Sequence, residues 1–233
     1  MRRLFPWIAV FILFVGFHAL NYLSSPPEIA ATLWVTADDF RTLAEAFHAL
    51  FLIILLAGLA IHRARDFSFT IFLATISVST AIISLRESLI AYACIFAMIF
   101  VFIVRAYVTG RMQFDLGRVK SPAIICGIGG LISGYWFLHW IDPPIMRNAL
   151  LFSPLGIVYG PTLLTIGGLL CFSTSPKSFL LEASVGFSLL LSGFWGFLMY
   201  NVWYDALLIV LGLFFFIRLG SRLDYNEVFE SEK

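Results

Sequence analysis

Apolar runs of roughly twenty residues recur down this 233-residue chain, each closed by a short group of charged or turn-forming residues. About twenty apolar residues in a helix cross the roughly 30 Å of hydrocarbon in a bilayer. The runs show no two-residue alternation and are far longer than barrel strands, so the spacing predicts helices. Hydrophobic residues make up 61% of the chain and charged residues 12%, about half the charge a water-facing surface carries. The sequence therefore predicts an all-α integral membrane protein: a single polytopic domain over residues 1–233, with no soluble domain.

Eight spans are predicted: Leu4–Leu23, Phe40–Ile61, Phe67–Ser84, Leu89–Val108, Ala123–Ile141, Asn148–Phe172, Phe179–Tyr200 and Asp205–Leu219. Arg2 and Arg3 ahead of the first run also fit a signal peptide, which would leave seven spans. No good small-x-small cleavage site follows, and a retained first helix is the expectation. With the N-terminus in the cytoplasm, all bases except Arg41, Arg86 and Arg147 fall inside, twelve of the 15. That satisfies the positive-inside rule and puts the C-terminus inside too. Glu28, Asp38, Asp39, Glu45, Glu87, Asp142 and Asp205 gather at the outer ends, an acidic mouth that would attract cations.

Loop 105–121, expected to be cytoplasmic, divides the chain into possible four-helix halves, 4–108 and 123–219. His18 followed by Pro26-Pro27, and His139 followed by Pro143-Pro144, are a faint echo between them. The Ser24–Asp39 segment reads as a long outer loop whose Ile29–Val35 patch lies at the interface. Residues 223–233 read as a mobile acidic tail. Cys94, Cys126 and Cys171 are an odd set of thiols inside spans, expected to pack rather than to form disulfides.

Glycines crowd the second half. Gly130-x-x-x-Gly134 has the small-residue spacing that lets helices approach closely, and Gly160 and Gly193 serve the same end on the sixth and seventh spans. Gly160-Pro161 is the expected kink of the sixth.

Ionisable residues at membrane depth are costly and are candidate functional groups. Glu45 and His48 share a face of the second span, and His18 and His139 fall at a similar depth on the first and fifth. Together they are a candidate divalent-metal site, the plainer alternative being three unrelated interfacial histidines. His48 and His62 lie fourteen residues apart, as paired haem ligands do, but only His18 is placed to partner either. A single His18–His48 haem is thus the lesser alternative, with His62 a cytoplasmic helix-end residue. Thr70, Ser77, Thr80 and Ser84 form one polar stripe on the third span, lining a polar path or bonding to another helix. Glu182 is a further intramembrane acid, with Lys177 its expected partner.

No HExxH motif is present, the Gly130–Gly134 segment lacks the glycine and later histidine of an intramembrane serine protease, and the loops hold no phosphate-binding glycine loop. The leading expectation is a non-enzymatic transport-type protein for a small solute or cation. The alternatives are a non-catalytic subunit or assembly factor of a larger membrane complex, then a metal- or haem-binding redox subunit. Expected partners are the lipid bilayer and other membrane subunits or further copies of the chain, with no nucleic acid.

Overall fold

A computed structural model describes residues 5–20, 25–115, 117, 119–141, 148, 152–174 and 178–223. Among them the regular elements are helices: α1 (Phe5–Leu20), α2 (Pro26–Asp39), α3 (Arg41–Ala60), α4 (Arg65–Arg86), α5 (Ile90–Val108), α6 (Ser121–Tyr135), α7 (Tyr159–Cys171), α8 (Phe179–Met199) and α9 (Ala206–Leu223). Two 3-10 turns, His62–Ala64 and Trp203–Asp205, lead into α4 and α9. Five stretches are long and apolar enough to cross a membrane: Arg41–Ala60, His62–Arg86, Ile90–Val108, Phe179–Met199 and Trp203–Gly220. The apolar helices Ile8–Leu20, Ser121–Tyr135 and Tyr159–Cys171 are shorter. Length and composition together mark a helical membrane protein.

Two sequence expectations change. Within the segment expected to be an outer loop, Pro26–Asp39 forms a helix. The Ser25 side chain accepts from the Glu28 amide while Glu28 reaches back to the Ser25 amide, and prolines fill the first turn. Such a box satisfies donors that a helix start leaves open, and proline there loses no hydrogen bond. Ile29, Leu33, Thr36 and Ala37 form the buried face of this helix.

The expected Asn148–Phe172 span is not one continuous helix: it is interrupted at residues 152–158, and the helix Tyr159–Cys171 follows. Residues 152–158 run buried but without helix, and their polar groups find other partners. Ser153 Oγ donates to the Gly134 carbonyl at 3.0 Å, and the Gly156 amide donates to Thr162 Oγ1 at 2.9 Å. Gly156 sits at φ +75°, and a Cβ there would meet the Phe47 ring at 2.6 Å, so both conformation and space require glycine. Gly160-Pro161 consequently lies in the first turn of α7, where proline belongs, and makes no mid-helix kink.

Glycine sets the helix spacing. A Cβ on Gly130 would stand 3.0 Å from the Gly168 Cα and the Leu164 carbonyl, and one on Gly134 would be 2.8 Å from the Pro161 carbonyl. The α6 and α7 backbones are therefore in direct contact. A Cβ on Gly193 would lie 2.9 Å from the Asp205 carbonyl and the Ile209 amide, which seats α8 on the start of α9. Every residue of α7 is buried.

Contacts between helix ends define two ends of the bundle. At one, His18, Tyr92, Tyr159, Tyr200 and Asp205 come together from α1, α5, α7, the end of α8 and the turn before α9. At the other, the Phe114 amide donates to Asp66 at 2.7 Å, Phe114 bridges Ser173, and Arg218 reaches Ser173 and Glu182.

Candidate functional site

The Asp205 end holds a fully buried carboxyl. The chain leaves α8 through Tyr200 and Asn201, the latter at φ 55°. It closes the 3-10 turn with the Asp205 amide donating to the Val202 carbonyl at 3.0 Å. That reversal aims the Asp205 side chain back into the bundle rather than outward, and its exposure is 0%. Two glycines make the room. A Cβ on Gly160 would lie 3.2 Å from Asp205 Oδ1, and one on Gly196 would collide with Oδ2 and the Tyr159 hydroxyl.

Three tyrosines surround this carboxyl. The Tyr159 hydroxyl donates to Asp205 Oδ2. The Tyr159 ring stacks on Tyr92 with centroids 4.6 Å apart and planes within 1° of parallel. The Tyr92 hydroxyl lies 3.4 Å from that of Tyr200. His18 of α1 meets Tyr92 edge-on at 6.5 Å and is 4% exposed. Asp205 Oδ1 and both His18 ring nitrogens are buried without a hydrogen-bond partner among the described residues.

An ionised carboxylate with one donor is far from satisfied in so dry a setting, since a buried charge needs a partner charge or several hydrogen bonds. Among the described residues Asp205 has a single donor, the Tyr159 hydroxyl, and no ion-pair partner. Tyr159, Tyr92 and Tyr200 can each donate and accept through a hydroxyl, so they extend from Asp205 as an aromatic chain with exchangeable protons.

The sequence-predicted residues are placed differently. His18 joins this centre. His48 is buried in α3 and stacks on Tyr135 at 4.2 Å, its ring nitrogens unpartnered. His139 meets Trp140 and Trp34 edge-on at 4.4 and 6.1 Å. Glu45 is exposed and pairs with Arg41 at 3.3 Å. Among the described residues no three His, Cys, Asp or Glu side chains gather where they could hold a metal. The expected four-residue metal site is therefore not assembled. Depth along each span placed the histidines at one level, but each faces a different neighbour. The two histidines of the haem alternative, His18 and His48, lie against separate tyrosines.

The stripe on α4 faces protein. Thr70, Ser77 and Thr80 donate to the carbonyls of Asp66, Leu73 and Ile76, and Thr80 lies 3.3 Å from Thr162 of α7. Ser84 is buried with them. At the opposite end Glu182 pairs with Arg218 at 2.7 Å, whose guanidinium also donates to the Leu170 and Ser173 carbonyls. His62 lies 2.6 Å from Arg65 beside the α3–α4 turn. Lys177, Asp142, Arg147, Pro143-Pro144, the N-terminal arginines and the tail beyond Leu223 lie outside the described residues.

Sequence reasoning counted Asp205 only as one outer acid and passed over Tyr92, Tyr159 and Tyr200. A signal was available for Tyr92, Tyr200 and Asp205, each near the end of an apolar run, and those ends fall on one side under the alternating order of spans; Tyr159 stands in the middle of the expected Asn148–Phe172 span and gave none. The chain matches no protein-family model, no curated protein and no solved structure.

Proposed function

We propose that this chain is a transport-type membrane protein for a small cation, and that Asp205 is the residue bearing that cation. The observation that carries the reading is the Asp205 carboxyl itself, fully buried, with Oδ2 held by Tyr159 and Oδ1 without a partner among the described residues. Intramembrane acids facing a bundle interior mark ion pathways and proton relays. The tyrosine chain to α5 and α8, and His18 beside it, favour the proton as the first cation to test. In this reading the chain crosses the membrane eight times with both termini in the cytoplasm, supported by the distribution of basic residues, and the Asp205 end faces outward.

The test is proton flux into liposomes containing the purified full-length chain, driven by a potassium diffusion potential and read with an entrapped pH dye. Sodium uptake is measured in parallel. Wild-type flux of one of these ions above empty liposomes is expected. Asp205→Asn should reduce it at least tenfold, with partial retention in Asp205→Glu and full retention in the exposed-site control Glu45→Gln. Equal flux from Asp205→Asn and wild type, both folded, would overturn the reading.

A further inference from the structure

A second concave site opens beside α2, apart from the Asp205 centre. Trp34, Val35, Asp38, Asp39, Trp140 and Phe152 line a cleft of about 340 Å³, at the small end of ligand pockets. Trp34 and Trp140 meet at 6.2 Å with planes 70° apart, forming a corner of two indoles. Trp140 is held at φ 66°, a conformation costly for a bulky residue and found where a site demands it. It is 3% exposed, yet its indole nitrogen has no hydrogen-bond partner among the described residues.

The charge of the cleft selects its ligand. Asp38 and Asp39 are exposed at its edge. The only base among its close neighbours in the described residues, Arg41, is paired with Glu45 at 3.3 Å. Its guanidinium lies over the Phe152 ring at 5.1 Å, which leaves the two indoles as the aromatic surface for a ligand. Among the described residues the charges at the cleft, Asp38 and Asp39 with the Arg41–Glu45 pair, sum to a negative value, which disfavours anions. A divalent metal is poorly served, because consecutive residues on a helix diverge by about 100° and among the described residues no third ligand gathers with the two aspartates. Aromatic faces with carboxylates at the rim suit a weakly hydrated organic cation, bound by cation–π attraction and steered by the acids.

We propose that this cleft binds a methylated or quaternary ammonium group. The site stands on its own geometry and does not depend on transport through the Asp205 centre. The same headgroup chemistry arrives from two sources, a free solute or the choline head of a phospholipid.

Equilibrium dialysis of radiolabelled tetramethylammonium against the purified full-length chain in a maltoside detergent tests it, with sodium chloride holding ionic strength constant. Saturable binding is expected, weakened at least tenfold by Trp34→Ala and by Asp38→Asn with Asp39→Asn. Trp34→Phe should retain most of it, and 3,3-dimethylbutanol, the neutral shape analogue of choline, should not compete. The substituted side chains are all solvent-accessible, and an unchanged melting temperature verifies that the variants fold. Repeating the measurement in phosphatidylcholine and phosphatidylglycerol nanodiscs separates the sources. Loss of binding only in phosphatidylcholine assigns the site to the lipid head, and equal binding in both assigns it to a free solute. Non-saturable uptake, wild-type affinity in Trp34→Ala, or equal competition by the neutral alcohol would each overturn the proposal. Asp205→Asn should bind tetramethylammonium like wild type, so failure of the transport reading leaves this result intact.

Discussion

The hydroxyl of Tyr159, at the first turn of α7, donates to the carboxylate of Asp205, the residue that launches α9, across 46 positions of sequence. Removing that donor while keeping the ring isolates its contribution. Tyr159→Phe keeps the stack on Tyr92 but leaves the Asp205 carboxyl with no hydrogen bond. Stranding a buried acceptor costs about 1–3 kcal/mol. Thermal melting in detergent should show that loss, whereas Tyr107→Phe, at a 42% exposed position, should melt like wild type. Equal melting of the two variants would show that the contact carries no stability.

Space around the same carboxyl supplies a second expectation. A methyl group on Gly196 would run into Asp205 and Tyr159, whereas one on Gly129 would meet nothing within 4 Å. Overpacking a close contact costs about 1–3 kcal/mol, so Gly196→Ala should lower the melting temperature and Gly129→Ala should not. Gly130→Leu, where backbone lies 3.0 Å away, should be worse than either because α6 and α7 must separate.

The opposite end of the bundle rests on an enclosed ion pair. Glu182 and Arg218 are 2% and 11% exposed at the side chain and 2.7 Å apart. Removing one partner of such a pair costs about 3–5 kcal/mol because the other stays buried and charged, while replacing both with apolar residues costs far less. Arg218→Met should therefore be severely destabilised, and Glu182→Leu with Arg218→Met should recover much of the loss. A double variant no better than the single would mean that the Leu170 and Ser173 carbonyls, not Glu182, are what Arg218 secures.

Sidedness is testable by labelling. Asp38→Cys in a background lacking Cys94, Cys126 and Cys171 should react with an impermeant maleimide added outside intact cells, and a reporter after Lys233 should behave as cytoplasmic. An introduced thiol that stays protected in intact cells and reacts only after lysis would reverse the orientation.

The lengths of α3, α4, α5, α8 and α9 were legible because an apolar run bounded by charge has one reading in lipid. The capping box at Ser25 and Glu28 leaves a Ser-x-x-Glu spacing in the sequence that was passed over, because the prolines between them and the position between two runs also fit a loop. The break at 152–158 was harder to see, because its residues are as apolar as a helix and only Pro154 and Gly156 mark it. The histidines show the deeper limit. Counting along a helix yields depth, but the rotation of one helix against another is set by packing. So depth alone groups His48 and His139 with residues they do not meet, while His18 finds its companions among tyrosines. Asp205 stands at the boundary of a run, where sequence alone cannot say whether a side chain turns toward water or back into the bundle.

One consequence concerns how such a chain is made. The helix α7 spans 13 residues, about 20 Å at the rise of an α-helix, and all of them are buried. A segment this short, enclosed on every side, presents no surface for lipid to hold once the protein is complete. During synthesis it emerges before α8 and α9, the helices that enclose it together with α4 and α6. Its seat is therefore finished last although its sequence comes earlier. The burial of α7 is complete only once α8 and α9 have packed against it and Asp205 accepts the hydrogen bond of Tyr159.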